Sequence, residues 1–145
     1  EALMPTITVP ARIENLGSTK DYLKAAIPAE FAAQTSNVLL AAEELLVNVF
    51  SYAYPEGEEG EAMVSLNVRT IDGEEKLVFE VRDWGKVFNP FEEAPVPDIT
   101  AELDDRPMGG LGIYLIKQIS EAQSWRLVDG ANCIEIVFGR TPKAL

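Results

Sequence analysis

The sequence predicts an α+β fold: a two-layer sandwich in which a mostly antiparallel sheet is covered on one face by helices. Three observations predict it. Two Asp-Gly pairs, Asp72-Gly73 and Asp129-Gly130, each sit between apolar runs and read as hairpin turns. A stretch from Ala33 to about Tyr52 lacks glycine and proline and is rich in Ala, Leu and Glu, all helix formers. The order of elements is strand, two helices, two strands, a long loop, a helix and two strands. Hairpins make neighbouring strands antiparallel, and the long helices need a sheet face to bury their apolar stripe.

Thr6-Ile7-Thr8-Val9 alternates and is β-branched, which predicts the first strand. Ser18 is the expected N-cap of a short helix running to about Ala26, and Pro28 opens a second helical region. Within 33–52, Val38, Leu39, Ala42, Leu45, Leu46 and Val49 recur at helical spacing and predict a buried face. Tyr54-Pro55-Glu56-Gly57 ends that helix, and an acidic loop follows. Val64, Leu66 and Val68 then share one face of a strand over 63–70, and Leu77, Phe79 and Val81 share one over 76–82. From Pro90 to Met108 periodicity disappears, leaving a long acidic segment punctuated by prolines. A loop of that length inside a compact domain is functional or disordered. Tyr114 to Ile119 is a helical run opened by glycines, and 125–128 and 133–138 form the second hairpin.

Composition narrows the function. A length of 145 residues suggests one domain over 1–145, and the net charge of −12 argues against a nucleic-acid binder. No stretch is long and apolar enough for a membrane span, so the chain reads as cytoplasmic, and the single cysteine, Cys133, fits a reducing compartment. The sequence holds no histidine. That excludes Ser-His-Asp and Cys-His catalysis and makes a zinc site a poor fit, so any general base is a carboxylate, lysine or tyrosine.

Three constellations carry chemistry. Glu44 and Asn48 are four residues apart and share a helix face, whereas Glu43 points elsewhere. By themselves the two are a reactive pair or merely a solvated one. Asp83-Trp84-Gly85 closes a predicted strand: a carboxylate there accepts a hydrogen bond from an exocyclic amine, and the glycine leaves clearance for a flat ring. The same residues also suit a plain Asp-x-Gly turn. Gly109-Gly110-Leu111-Gly112 opens a helix, where free N–H groups and the positive dipole end receive an anion such as phosphate. A glycine-rich turn before an ordinary helix is the other reading.

Taken in order, Glu-x-x-x-Asn, a hairpin, Asp-x-Gly, a long loop and Gly-x-Gly at a helix start resemble the sequence boxes of the GHKL ATPase superfamily, whose ATP-binding unit is the Bergerat fold. The likeness covers about residues 5 to 138 and is greatest to the anti-sigma-factor serine/threonine kinase branch. Ala53-Tyr54-Pro55, the run from Asp83 through Phe88 to Pro90, and Arg106 to Ile113 carry that further resemblance. It implies ATP and Mg²⁺ as ligands, Glu44 as general base, Asn48 as the Mg²⁺ ligand and Asp83 with Gly85 at adenine. It further implies that Gly110, Leu111 and Gly112 hold the phosphates and that 91–108 forms a lid. Arg106 and Lys117 are candidate phosphate contacts or surface cations. The chain departs from the pattern at Tyr52 and Tyr114, where the family often has histidine, and at Met108 and Trp84.

The function so implied is phosphoryl transfer from ATP to a serine or threonine of a small anti-sigma-factor antagonist in a partner-switching system. A sigma factor is a second expected partner, and a homodimer is an expected assembly. The alternative is a nucleotide-gated binding module with little or no kinase activity. A sensor histidine kinase's catalytic domain fits the boxes less well.

Overall fold

The computed structural model describes residues 6–93 and 110–143. It contains a five-stranded antiparallel sheet in the order β1-β2-β3-β5-β4, formed by Thr6–Pro10, Glu61–Ile71, Glu74–Asp83, Ala131–Phe138 and Ala122–Val128 respectively. Four helices complete it: α1 (Leu16–Ala26), α2 (Thr35–Asn48), the single turn α3 (Pro90–Glu93) and α4 (Gly110–Ile119). The predicted fold class is the observed one.

Strand alternation decides which face is covered. Val64 and Leu66 of β2, Phe79 and Val81 of β3 and Ile134 and Ile136 of β5 point to one side. There they pack with Leu23 of α1, Val38, Ala42, Leu45 and Leu46 of α2, and Ile113 and Ile116 of α4 in one buried cluster. The other face carries Ser65, Val78, Glu80, Arg82, Cys133 and Glu135. Arg69 pairs there with Glu135 at 2.8 Å, and Arg82 with Glu80 at 3.2 Å. Cys133 is fully buried in this layer despite its strand's position on the uncovered side.

Both hairpins turn on two residues with positive φ: 51° and 81° at Asp72-Gly73, 50° and 82° at Asp129-Gly130. That pair of left-handed residues is the turn whose twist matches antiparallel strands, and Asp followed by Gly tolerates it best. The tightness of the second turn starts β5 at Ala131, two residues before the expected strand, and β4 begins at Ala122 rather than Trp125.

Three helix boundaries differ from expectation. Ser18 is not an N-cap: α1 begins at Leu16 after a 3₁₀ turn over Ile13–Asn15, and the Ser18 hydroxyl instead donates back to the Asn15 carbonyl at 3.2 Å. The long helix is interrupted at both ends. A 3₁₀ segment, Ala29–Gln34, precedes α2, and a π-helical segment, Val49–Ala53, follows it. Helix propensity does not distinguish i+3, i+4 and i+5 pairing, so tertiary contacts chose among them. At the front, Gln34 is buried and its amide donates to the Gly139 carbonyl at 2.9 Å, tying the 3₁₀ segment to the end of the sheet. Finally, Pro90–Glu93 forms one helical turn where no periodicity was legible; the remaining stretch expected as a lid, 94–108, lies outside the described residues.

Candidate functional site

Helix α2 presents Glu43 and Glu44 side by side, and packing separates their roles. Glu43 accepts an ion pair from Lys20 of α1 at 2.9 Å, so it joins two helices. Glu44 has no ion-pair partner among the described residues. It is half-buried, and burial together with the charge of Glu43 holds its carboxyl above the ordinary carboxylate range. Its carboxylate lies against Gly112 in the first turn of α4: a Cβ built on Gly112 would fall within the carboxylate, 2.6 Å from Cδ and 3.0 Å from Cγ. The structure thus brings Glu44 and the glycine-opened helix together. Asn48, one turn further on, is half-buried and donates or accepts no hydrogen bond through its side chain among the described residues.

The second half of the site is built at the end of β3. Asp83 is only 4% exposed. Its Oδ1 accepts from the Gly85 backbone N–H and from the Asn132 amide, each at 3.0 Å. Burial raises the Asp83 pKa, and the bonds from Asn132 and Gly85 pull against that rise. Oδ2 takes no hydrogen bond from the described residues.

Asn132 was not legible in the sequence as a site residue. It stands opposite Asp83 in the β3·β5 register and is 2% exposed. Its Nδ2 donates to Asp83 Oδ1 and, at 2.9 Å, to the Lys86 carbonyl. Its Oδ1 accepts from the Phe88 N–H at 3.1 Å and from the Trp125 indole at 3.0 Å. One side chain therefore fixes the aspartate, the 86–88 loop and the neighbouring strand. The only sequence signal was an asparagine at the start of a mostly apolar strand.

The π segment ends against the same loop. The Ala53 carbonyl accepts from the Lys86 N–H at 2.8 Å. A Cβ on Gly85 would overlap the Ala53 backbone, 2.6 Å from its carbonyl carbon, so glycine is required there by a contact within the protein. The Tyr54 hydroxyl accepts from the Trp84 N–H at 2.9 Å and donates to the Glu61 carbonyl at 2.5 Å. One extra residue in the helical turn delivers Ala53 and Tyr54 to these partners, a use of π geometry that recurs at functional sites. So α2 touches α4 through Glu44 and the Asp-x-Gly turn through its π extension.

Gly110 opens α4, with Leu111 half-buried after it. Lys117 does not join the glycines. It lies in the last turn of α4, about 10 Å along the axis from Gly110 at 1.5 Å per residue, and its ammonium reaches the Phe91 carbonyl at 3.4 Å. Arg106 lies outside the described residues. Tyr52 is 68% exposed and Tyr114 half-buried.

Among the described residues no group of three or more His, Cys, Asp or Glu is placed to hold a metal ion. A Mg²⁺ brought with a nucleotide would need only one or two protein oxygens, because it keeps most of its waters and binds the phosphates. The amide of Asn48, without a hydrogen bond among the described residues, could offer one such oxygen. No helix among the described residues is long and apolar enough to cross a membrane.

Comparison with known proteins agrees with this geometry. The family model described as a histidine kinase-like ATPase domain matches residues 9–138. The chain is also similar to the serine/threonine-protein kinase BtrW of Bordetella bronchiseptica, 30% identical over 105 residues, which is 72% of this chain and 70% of that one. Strand register, buried aspartate, glycine-opened helix and matched span thus agree, and the chain belongs to the histidine kinase-like ATPase family, as an ATP-binding, kinase-like domain.

Proposed function

We propose that this protein is a serine/threonine-protein kinase that transfers the γ-phosphoryl of ATP to a small antagonist of an anti-sigma factor. The observation that carries the proposal is Glu44, a partly desolvated carboxylate set against the first turn of the helix assigned to the phosphates. Nucleotide binding alone has no need of an acid there. The kinase name of BtrW supports the same reading.

Each residue then has one task. Asp83 Oδ2 accepts from the exocyclic amine of adenine, with Asn132 and Gly85 holding Oδ1. The backbone N–H groups of Gly110, Leu111 and Gly112 receive the phosphates, aided by the helix dipole. Asn48 offers its amide oxygen to Mg²⁺, which when bound neutralises phosphate charge. Glu44 takes the proton from the acceptor hydroxyl as that oxygen bonds to the γ-phosphorus and the bond to the bridging oxygen of ADP breaks. A carboxyl held above its ordinary pKa is the better proton acceptor. A sigma factor is proposed as a second partner, and ATP as donor goes with a cytoplasmic site of action.

The test incubates the protein with γ-labelled ATP, Mg²⁺ and the antagonist encoded beside it. The wild type is expected to label the antagonist, and Glu44→Ala to lose at least 100-fold in rate while still binding ATP in calorimetry. Binding without any labelling by the wild type would instead identify a nucleotide-gated module. No binding of ATP or ADP would reject the reading.

A further inference from the structure

Glycine at 112 has two physical explanations, and the structure separates them. In one, the missing side chain lets a phosphate approach the helix backbone. In the other, the space is taken by the protein. Gly112 is buried, and the position its Cβ would occupy lies within the Glu44 carboxylate, with Cδ 2.6 Å and Cγ 3.0 Å away. These are distances no side chain tolerates without displacement. Leu45 and Leu46, buried in the core, and the Lys20–Glu43 ion pair hold the α2 backbone in place, so the half-buried Glu44 side chain is the part that must turn aside. On the α4 side, Ile113 and Ile116 are 4% and 0% exposed, so the helix cannot slide outward either.

We propose that Gly112 is a positioning residue for Glu44: its α-carbon forms the floor on which the carboxylate rests, and this contact sets where the proton is accepted. The inference rests on Glu44 being the base. Any larger residue at 112 drives the carboxylate away from the start of α4 and misplaces it for the acceptor hydroxyl. Shortening the acid restores the fit, since aspartate retracts the carboxylate by one methylene, about 1.5 Å.

A double-mutant cycle tests this through two readouts. The first is thermal melting of the free protein. Gly112→Ala in the Glu44 background is expected to leave Tm unchanged or lower it by up to about 3 °C, as the carboxylate is displaced from its packed position. In the Glu44→Ala background the same change is expected to raise Tm by about 2 °C, because alanine is the better helix former and the obstacle is gone. The second readout is phosphoryl transfer: Gly112→Ala lowers kcat at least tenfold in the wild type and less than threefold in Glu44→Asp. An equal Tm shift in both melting backgrounds overturns the proposal. So does a kcat loss of the same size in the wild type and in Glu44→Asp, or an ATP affinity loss by Gly112→Ala that is unchanged in Glu44→Ala, since the glycine would then serve the phosphates. If the wild type transfers no phosphoryl, the kinase reading fails, and the difference between the two Tm shifts alone decides the contact.

Discussion

Two residues concentrate the polar energetics of the fold. Asn132 satisfies both donors and both acceptor positions of one buried amide, and three of its four partners belong to the Asp83–Phe88 segment. Asn132→Ala is expected to cost about 2–3 kcal/mol, because buried donors and acceptors lose their partner without gaining water. Urea denaturation measures the cost, and calorimetry should show ATP affinity falling at least tenfold as Asp83 loses its support. Glu44 behaves differently. Its folded pKa is raised above the ordinary 4.5 by burial and by Glu43. Below that ordinary value both folded and unfolded chains hold the proton and no penalty arises. As pH rises through and beyond it, the unfolded chain releases the proton first, and folded stability declines. Glu44→Gln keeps the shape without the charge, so its Tm should exceed that of the wild type at pH 7 and match it near pH 4. An advantage that persists unchanged at pH 4 would mean that the carboxylate's ionisation is not the cause.

Among the elements, the π segment Val49–Ala53 does most to assemble the site. It is the piece of α2 that meets the Asp-x-Gly turn, and that meeting has no room for a methyl group at Gly85. Gly85→Ala is expected to destabilise by about 1–3 kcal/mol, as overpacking against backbone does. The denaturation midpoint of the nucleotide-free protein reports it, which separates this contact from any clearance for adenine. The contrast between elements explains what the sequence disclosed. Asp72-Gly73 and Asp129-Gly130 were legible because their backbone angles are needed locally and few residues tolerate them. The π segment was not: Val-Phe-Ser-Tyr-Ala has no local signature for i+5 pairing, and the contacts that stabilise it come from residues 85 and 86. Glu44, Asn48 and Asp83 stood out as candidates through their order along the chain. Asn132 was not, because its partners lie 44 to 49 residues away for the aspartate and the loop.

For the whole molecule, net charge sets the approach of an anionic ligand. At −12 the protein repels ATP·Mg²⁺ at long range, in the opposite sense to electrostatic steering. The association rate measured by stopped flow should therefore rise as NaCl goes from about 0.01 to 0.15 M, as the Debye length shrinks from roughly 30 to 8 Å. A rate that falls with salt would indicate a local positive field strong enough to override the total. The same balance bears on the proposed partner: a protein surface carrying excess cations would be drawn to this chain at a distance, before any specific contact forms.

The lone thiol of Cys133 gives the molecule a clock. It is fully buried between β3 and β4, bonded weakly to the Ala131 carbonyl at 3.7 Å, and its pKa is raised chiefly by burial. A thiol so placed reacts with an aqueous disulfide reagent only after the side chains over it, Arg82, Glu80, Arg126 and Glu135 among its neighbours, have moved aside. The rate of colour release at saturating reagent then equals the rate at which the side-chain layer over the middle of the sheet opens. Slowing of that rate by added ATP would measure how firmly a ligand at one end of β3 fastens that layer.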